Sequence, residues 1–134
     1  MRNRPNSIAM ARSFILLYIL LLPCGLLAQG DSLLRIAESG TPQAKLAAYK
    51  TLAASLVTKN FTASVQYGEQ GMVIARALKD TVAMAELHNI MGEAQYFKGN
   101  YDIAASHIFK AIHIFERYNN KKQLGNAFNA IAKL

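Results

Sequence analysis

The chain has 134 residues, a one-domain length, with 52% hydrophobic and 17% charged residues. That balance supplies a core and excludes a chain disordered throughout. The formal charge is +7 at pH 7, but beyond Arg2, Arg4 and Arg12 the basic residues are scattered apart from Lys121 and Lys122, without the stripe or cluster that a nucleic-acid site requires.

Residues 1–28 read as a secretory signal peptide. Arg2, Arg4 and Arg12 make a basic start without an acid, Phe14 to Leu22 is an unbroken apolar run, and Pro23, Cys24 and Gly25 break the helix. Leu26-Leu27-Ala28 ends on a small residue, which places cleavage after Ala28. Met10 is an alternative start, because residues 10–29 form a complete signal alone. A membrane anchor is the competing reading, but a span needs about 20 apolar residues, and this run is shorter and ends at proline. The chain is therefore expected to be exported, periplasmic or secreted, and to meet the membrane only through the uncleaved signal. Lipidation of Cys24 is the alternative product, with Pro23 a poor residue to precede it.

Cleavage changes the chemistry. Cys24 is the sole cysteine, so the mature chain holds no disulfide, thiolate nucleophile or cysteine-bound metal. Three arginines leave with the signal, and 12 basic residues remain against 8 acids, a charge of about +4.

From residue 29 onward the apolar period is helical, with no strand-like alternation. Residues 29–43 read as a lead-in helix, Asp31 to Ser39, and a turn. Gly40 is expected to stop that helix in a left-handed conformation, and Thr41-Pro42 to start the next as N-cap and first-turn proline. Breaks follow near Lys59-Asn60, Lys79-Asp80, Gly99-Asn100 and Asn119-Asn120, about twenty residues apart. Such spacing gives antiparallel helix pairs joined by short polar turns.

The turns repeat in kind. Thr58-Lys59-Asn60-Phe61 and Lys98-Gly99-Asn100-Tyr101 lie forty residues apart, each with asparagine as candidate N-cap before an aromatic that pins the turn to the core. The same slide pairs Met72 with Ile112, Ile74 with Ile114, and Asn89 with Asn129. Agreement in residue class and in breaks indicates a solenoid, divided as 44–80, 81–120 and a partial 121–134.

Residues 86–116 resemble a tetratricopeptide repeat (TPR). Met91-Gly92 matches the family's Leu-Gly, Ala94 its following small residue, Gly99-Asn100-Tyr101 its turn, and Ala104 and Ala111 the alanines of its second helix. Small residues at the crossing let two backbones approach. Residues 46–79 resemble a poorer copy, with Leu52 in place of the glycine and Ser64, Gly68 and Gly71 in the second helix. Each of those helical glycines costs about 1 kcal/mol relative to Ala, so that helix is expected to be the weaker. The resemblance implies an all-α fold, a right-handed superhelix of helix pairs, and a concave groove that holds a peptide or protein partner. The forty-residue period and the lead-in Asp31 to Ala53 also resemble arrays in the exported regions of bacterial regulatory proteins, which implies a second reading as a sensor's input module without its effector.

Catalysis is not expected. No HExxH, nucleophile elbow or Gly-rich phosphate loop occurs. His107 and His113 fall on different helix faces, and His88 and His107 read as packed amphipathic rings, so no metal or cofactor is expected. Glu86 and Glu93 share a helix face, which reads as solvated. For binding, Glu86, Asn89, Glu93 and Tyr96 form one stripe on a first helix, and Asn126, Asn129 and Lys133 the corresponding stripe on the next. Asparagine has the donor and acceptor to hold a peptide backbone. The competing reading has Asn89 and Asn129 bonding to neighbouring helices. Leu124, Ala127, Phe128, Ile131 and Leu134 make an apolar stripe on the last helix, which implies fraying, self-association or continuation into a longer array.

Overall fold

The computed structural model describes residues 24–134. The signal-peptide reading lies outside the described residues except at 24–28. Leu33–Leu134 forms one compact unit. The described residues hold six helices and no strand: α1 (Cys24–Ser39), α2 (Pro42–Leu56), α3 (Phe61–Ala77), α4 (Thr81–Lys98), α5 (Tyr101–Arg117) and α6 (Lys121–Ile131). The protein is all-α there. None of these helices is long and apolar enough to cross a membrane.

The turns follow from local chemistry. Thr41, Asn60, Asp80 and Asn120 each accept, through a side-chain oxygen, the backbone N–H three residues on, which satisfies an otherwise orphan donor. Lys79, Gly99 and Asn119 take positive φ of 56°, 86° and 50° just before three of the N-caps, the left-handed step that ends a helix. Asn100 departs from expectation: its side chain makes no cap, and its Nδ2 donates instead to Gln95 Oε1 at 2.8 Å. Tyr101 does not reach the core either. It is 56% exposed and lies against Tyr96, ring centroids 5.7 Å apart.

The lead-in differs in two respects. α1 begins at Cys24 rather than Asp31, running through Gly25 and the expected cleavage point. Gly40 follows its end without a positive φ. The reason for glycine there is space, since a Cβ would lie 2.5 Å from the Ile36 carbonyl oxygen and 3.3 Å from Ala44 Cβ.

Consecutive helices pack antiparallel from α2 to α6. Ala53 meets Ser64 while Tyr49 meets Gly71 across α2 and α3, and Met91 meets Gly68 while Leu87 meets Gly71 across α3 and α4. Alternate helices also touch, α2 with α4 and α4 with α6, whereas α3 and α5 do not approach in this way. The core is correspondingly a chain of clusters. Ala37, Ala48 and Leu52 form one, Leu46, Met72, Leu87 and Met91 anchor the second, and Ile108, Ile112, Phe115 and Ala127 the third.

Burial sharpens the repeat. Ser64, Gly68, Gly71, Met72 and Ala75 are the buried residues of α3, and those forty residues on, Ala104, Ile108, Ala111, Ile112 and Phe115, are the buried residues of α5. The first helices register at thirty-nine instead: Leu46, Ala48, Leu52 and Ala53 fall on Ala85, Leu87, Met91 and Gly92, all buried. The partner of Gly92 is therefore Ala53 and not Leu52, because the stretch from Ala53 to Ser64 is one residue shorter than that from Gly92 to Ala104. At both crossings the small residue admits a neighbouring helix. A Cβ on Gly92 would stand 2.6 Å from Ile108 Cγ1 and 3.1 Å from the Ala104 oxygen. Ser64 Oγ donates to the Ala53 carbonyl at 2.7 Å. Gly68 and Gly71 serve the same end, with Met91 Cγ 2.6 Å and Leu87 Cδ2 3.1 Å from where their Cβ atoms would be. Their propensity cost is offset by close packing of α3 on α4.

Candidate functional site

The side on which α4 meets α2 and α6 carries an open cavity of about 430 Å³, lined by Lys50, Thr51, Ala54, Glu86, Asn89, Ile90 and Gln123. Glu86 stands at its centre. It is ion-paired with Lys50 from α2 and accepts a hydrogen bond from Gln123 Nε2 of α6 at 3.2 Å. One carboxylate on the middle helix thus joins three helices that the chain places far apart. Both charged partners stay partly open, at 31% and 21% side-chain exposure, so a ligand can compete for them.

Asn89 lies one turn along α4 from Glu86. Its Nδ2 donates to Glu93 Oε1 at 3.4 Å, and its Oδ1 is buried without a partner. It therefore bonds within its own helix, which corrects the reading that it ties one repeat to the next. An unpaired buried acceptor costs about 1–3 kcal/mol, and a turn of the Asn89 side chain towards the cavity would let a ligand's donor recover it.

Of the residues expected in the groove, Glu86 and Asn89 line the cavity. Glu93 touches it only through Asn89. Tyr96 sits farther along α4, edge-on to Phe97 at 5.3 Å. Asn126 and Asn129 are exposed on α6, Asn126 Nδ2 donating to Gln123 Oε1 at 3.1 Å. Lys133 lies past the end of α6 at Ile131, outside the helical stripe assigned to it. The sequence did not point to Lys50, Thr51, Ala54, Ile90 or Gln123. The helical spacing of Lys50, Thr51 and Ala54 on α2 and the position of Gln123 in the first turn of α6 were the available signals, but only helix stacking brings them together. Among the residues expected to pack the repeat, Met91, Gly92, Ala94, Ala104 and Ala111 are buried, while Gly99 and Tyr101 are exposed.

A second cavity, of about 390 Å³, opens over α3, α4 and α5 and is lined by Glu69, Met72, Val73, Arg76, His88, Met91, His107 and Lys110. At its floor His88 Nδ1 and His107 Nδ1 are 2.9 Å apart, with ring centroids 5.1 Å apart. Two neutral imidazoles share that bond only as opposite tautomers, one Nδ1 donating and the other accepting. Burial pushes the His88 pKa down to about 4, helped by the positive charges of His107, Lys110 and Arg76. His107 is lowered by burial and then by Lys110, with Glu69 opposing. Both rings are therefore neutral near pH 7. They are packed rings, as expected, but packed against each other, and nineteen residues of separation hide that in the sequence. Among the described residues, no group of three or more His, Cys, Asp and Glu is arranged to hold a metal ion.

No family model, curated protein or solved structure matches this chain.

Proposed function

We propose that the protein is a non-catalytic binding scaffold of TPR type, exported from the cytoplasm, which holds an extended peptide or a segment of a partner protein along the side formed by α2, α4 and α6. The superhelical reading is supported by the contact pattern: alternate helices meet on one side of the array only, as the inner side of a superhelix requires. One observation carries the functional reading. Lys50, Glu86, Asn89 and Gln123, drawn from three helices, converge on one open cavity in which a buried acceptor, Asn89 Oδ1, has no partner. Once the Asn89 amide turns towards the cavity, an extended peptide offers backbone N–H groups for that acceptor and carbonyls for Lys50 and Gln123. The acid and the base side by side favour a ligand of mixed charge over an anionic one.

The test is selection of peptides against the purified chain, followed by anisotropy titration of the best binders. Asn89→Ala and Lys50→Ala should each weaken binding about tenfold, a loss of about 1.4 kcal/mol, while Lys122→Ala on the exposed start of α6 leaves it unchanged. Binders whose affinity ignores Asn89 and Lys50 would remove this site from consideration.

A further inference from the structure

We propose that the cavity over α3, α4 and α5 binds a small amphipathic carboxylate, with Arg76 and Lys110 holding the charged head and Met72, Val73 and Met91 covering the hydrocarbon chain. A volume of about 390 Å³ suits one small molecule. Arg76 comes from α3 and Lys110 from α5, two helices that do not touch, so only the stacking on α4 brings both cations to one cavity. Among the described residues neither is ion-paired, since the one salt bridge there joins Lys50 to Glu86. Both charges bear on His88, whose ring burial already holds neutral. An anion seated beside His88 relieves this accumulation of positive charge.

The rest of the lining sets the class of ligand. Met72 and Met91 are buried, while Val73 is 64% exposed, an apolar surface that a hydrocarbon chain covers. Methionine side chains are flexible enough to follow such a chain. A bare inorganic anion would leave that surface in water, and an alcohol would leave the two cations unmet. Glu69 also lines the cavity and repels a carboxylate. Its charge acts on His107, whereas Arg76 and Lys110 act on His88, which places the head on the His88 side. An anion there favours the tautomer in which His107 Nδ1–H donates to His88 Nδ1, because His88 then carries its proton on Nε2 as a further donor. The site is separate from the inner groove, none of whose lining residues it uses.

The experiment is a nuclear magnetic resonance titration of the full-length chain with octanoate near pH 7, read on isotope-labelled methionine methyl groups. Met72 and Met91 line the cavity and Met84 does not. The Met72 and Met91 methyls should shift and saturate together while Met84 stays in place. Acetate, which lacks the chain, and octanol, which lacks the charge, should each bind at least tenfold more weakly. Arg76→Gln and Lys110→Gln should each weaken octanoate binding severalfold, and Glu69→Gln should tighten it severalfold. All three residues are exposed, so replacing them leaves the core intact. Methyl shifts absent from Met72 and Met91, octanol or acetate binding as tightly as octanoate, or weaker binding in Glu69→Gln would each overturn the proposal.

Discussion

At the scale of single residues, the glycines separate into two kinds, and the same substitution tests both. Gly125 lies inside α6 with nothing within 4 Å of where its Cβ would be. Gly125→Ala should therefore stabilise the protein by about 0.5–1 kcal/mol through helix propensity and the unfolded chain's lost freedom. Gly92 has Ile108 and the Ala104 carbonyl in that space. Overpacking there costs about 1–3 kcal/mol, which exceeds the propensity gain of about 1 kcal/mol. Gly92→Ala should be neutral to destabilising and Gly92→Val clearly destabilising. Urea unfolding of the three variants measures the signs, and a stabilised Gly92→Val would contradict the close crossing of α4 on α5.

The histidine pair belongs to the same scale. Its rings face Glu69 and Arg76 from α3 and Lys110 from α5, and the His88 pKa is lowered from 6.5 to about 4. Between those values the unfolded chain binds more protons than the folded one, so stability falls as pH falls. The contribution is fully present above about 6.5 and is lost progressively towards pH 4. Thermal melts should show the melting temperature of the parent dropping more steeply across that window than that of His88→Phe. Identical slopes would mean that the pair does not carry the effect. The sequence placed each ring on an amphipathic face, but a contact between them depends on how two helices are turned about their axes.

At the scale of elements, helix boundaries were largely legible because they are written in short-range chemistry. Thr41, Asn60, Asp80 and Asn120 start helices with their own side chains. Replacing an N-cap by Ala costs about 0.5–2 kcal/mol, so Asn60→Ala and Asp80→Ala should each lose about 1 kcal/mol. Asn100→Ala should lose less, since Asn100 bonds to Gln95 and caps nothing. Chemical denaturation of the three variants gives this ranking. Asn60 and Asn100 occupy matching places in sequence, and only the local geometry of each turn separates them. The one-residue difference in register between first and second helices was illegible for a related reason. Leu52 and Ala53 are both apolar, and either satisfies the helical period. Contact with Ser64 selects Ala53, because only the small side chain lets α3 close on α2.

At the scale of the compact unit, each helix from α2 to α6 packs on its neighbours in the chain, and α4 also meets α2 and α6. α4 is the element most others lean on, and Leu87 is fully buried at its middle. Leu87→Ala should cost about 2–5 kcal/mol, and because stability in such arrays is a sum of local and nearest-neighbour parts, the loss should spread to α3 and α5. Hydrogen exchange checks this. The same measurement on the parent should find α6 exchanging faster than α4 or α5. It is the shortest of the six helices, carries Gly125 in its interior, and leaves Phe128 47% exposed while Ala127 and Ala130 are buried. Protection of α6 equal to that of α4 would show that its packing outweighs its length.

The amino-acid sequence by itself determined that residues 29–134 are helical, where the helices from α2 onward begin and end, and most of the small residues at which helices cross, Ala53 excepted. Those properties rest on interactions within a few residues: the 3.6-residue apolar period, side-chain caps, left-handed steps at Lys79, Gly99 and Asn119. The tertiary structure alone decided what meets what. Lys50, Glu86 and Gln123 converge, and His88 faces His107, only after helices have been stacked at a particular turn about their axes. That rotation is set by the summed fit of many weak apolar contacts such as Gly71 on Leu87 and Gly92 on Ile108. No single residue carries it, so no motif announces it.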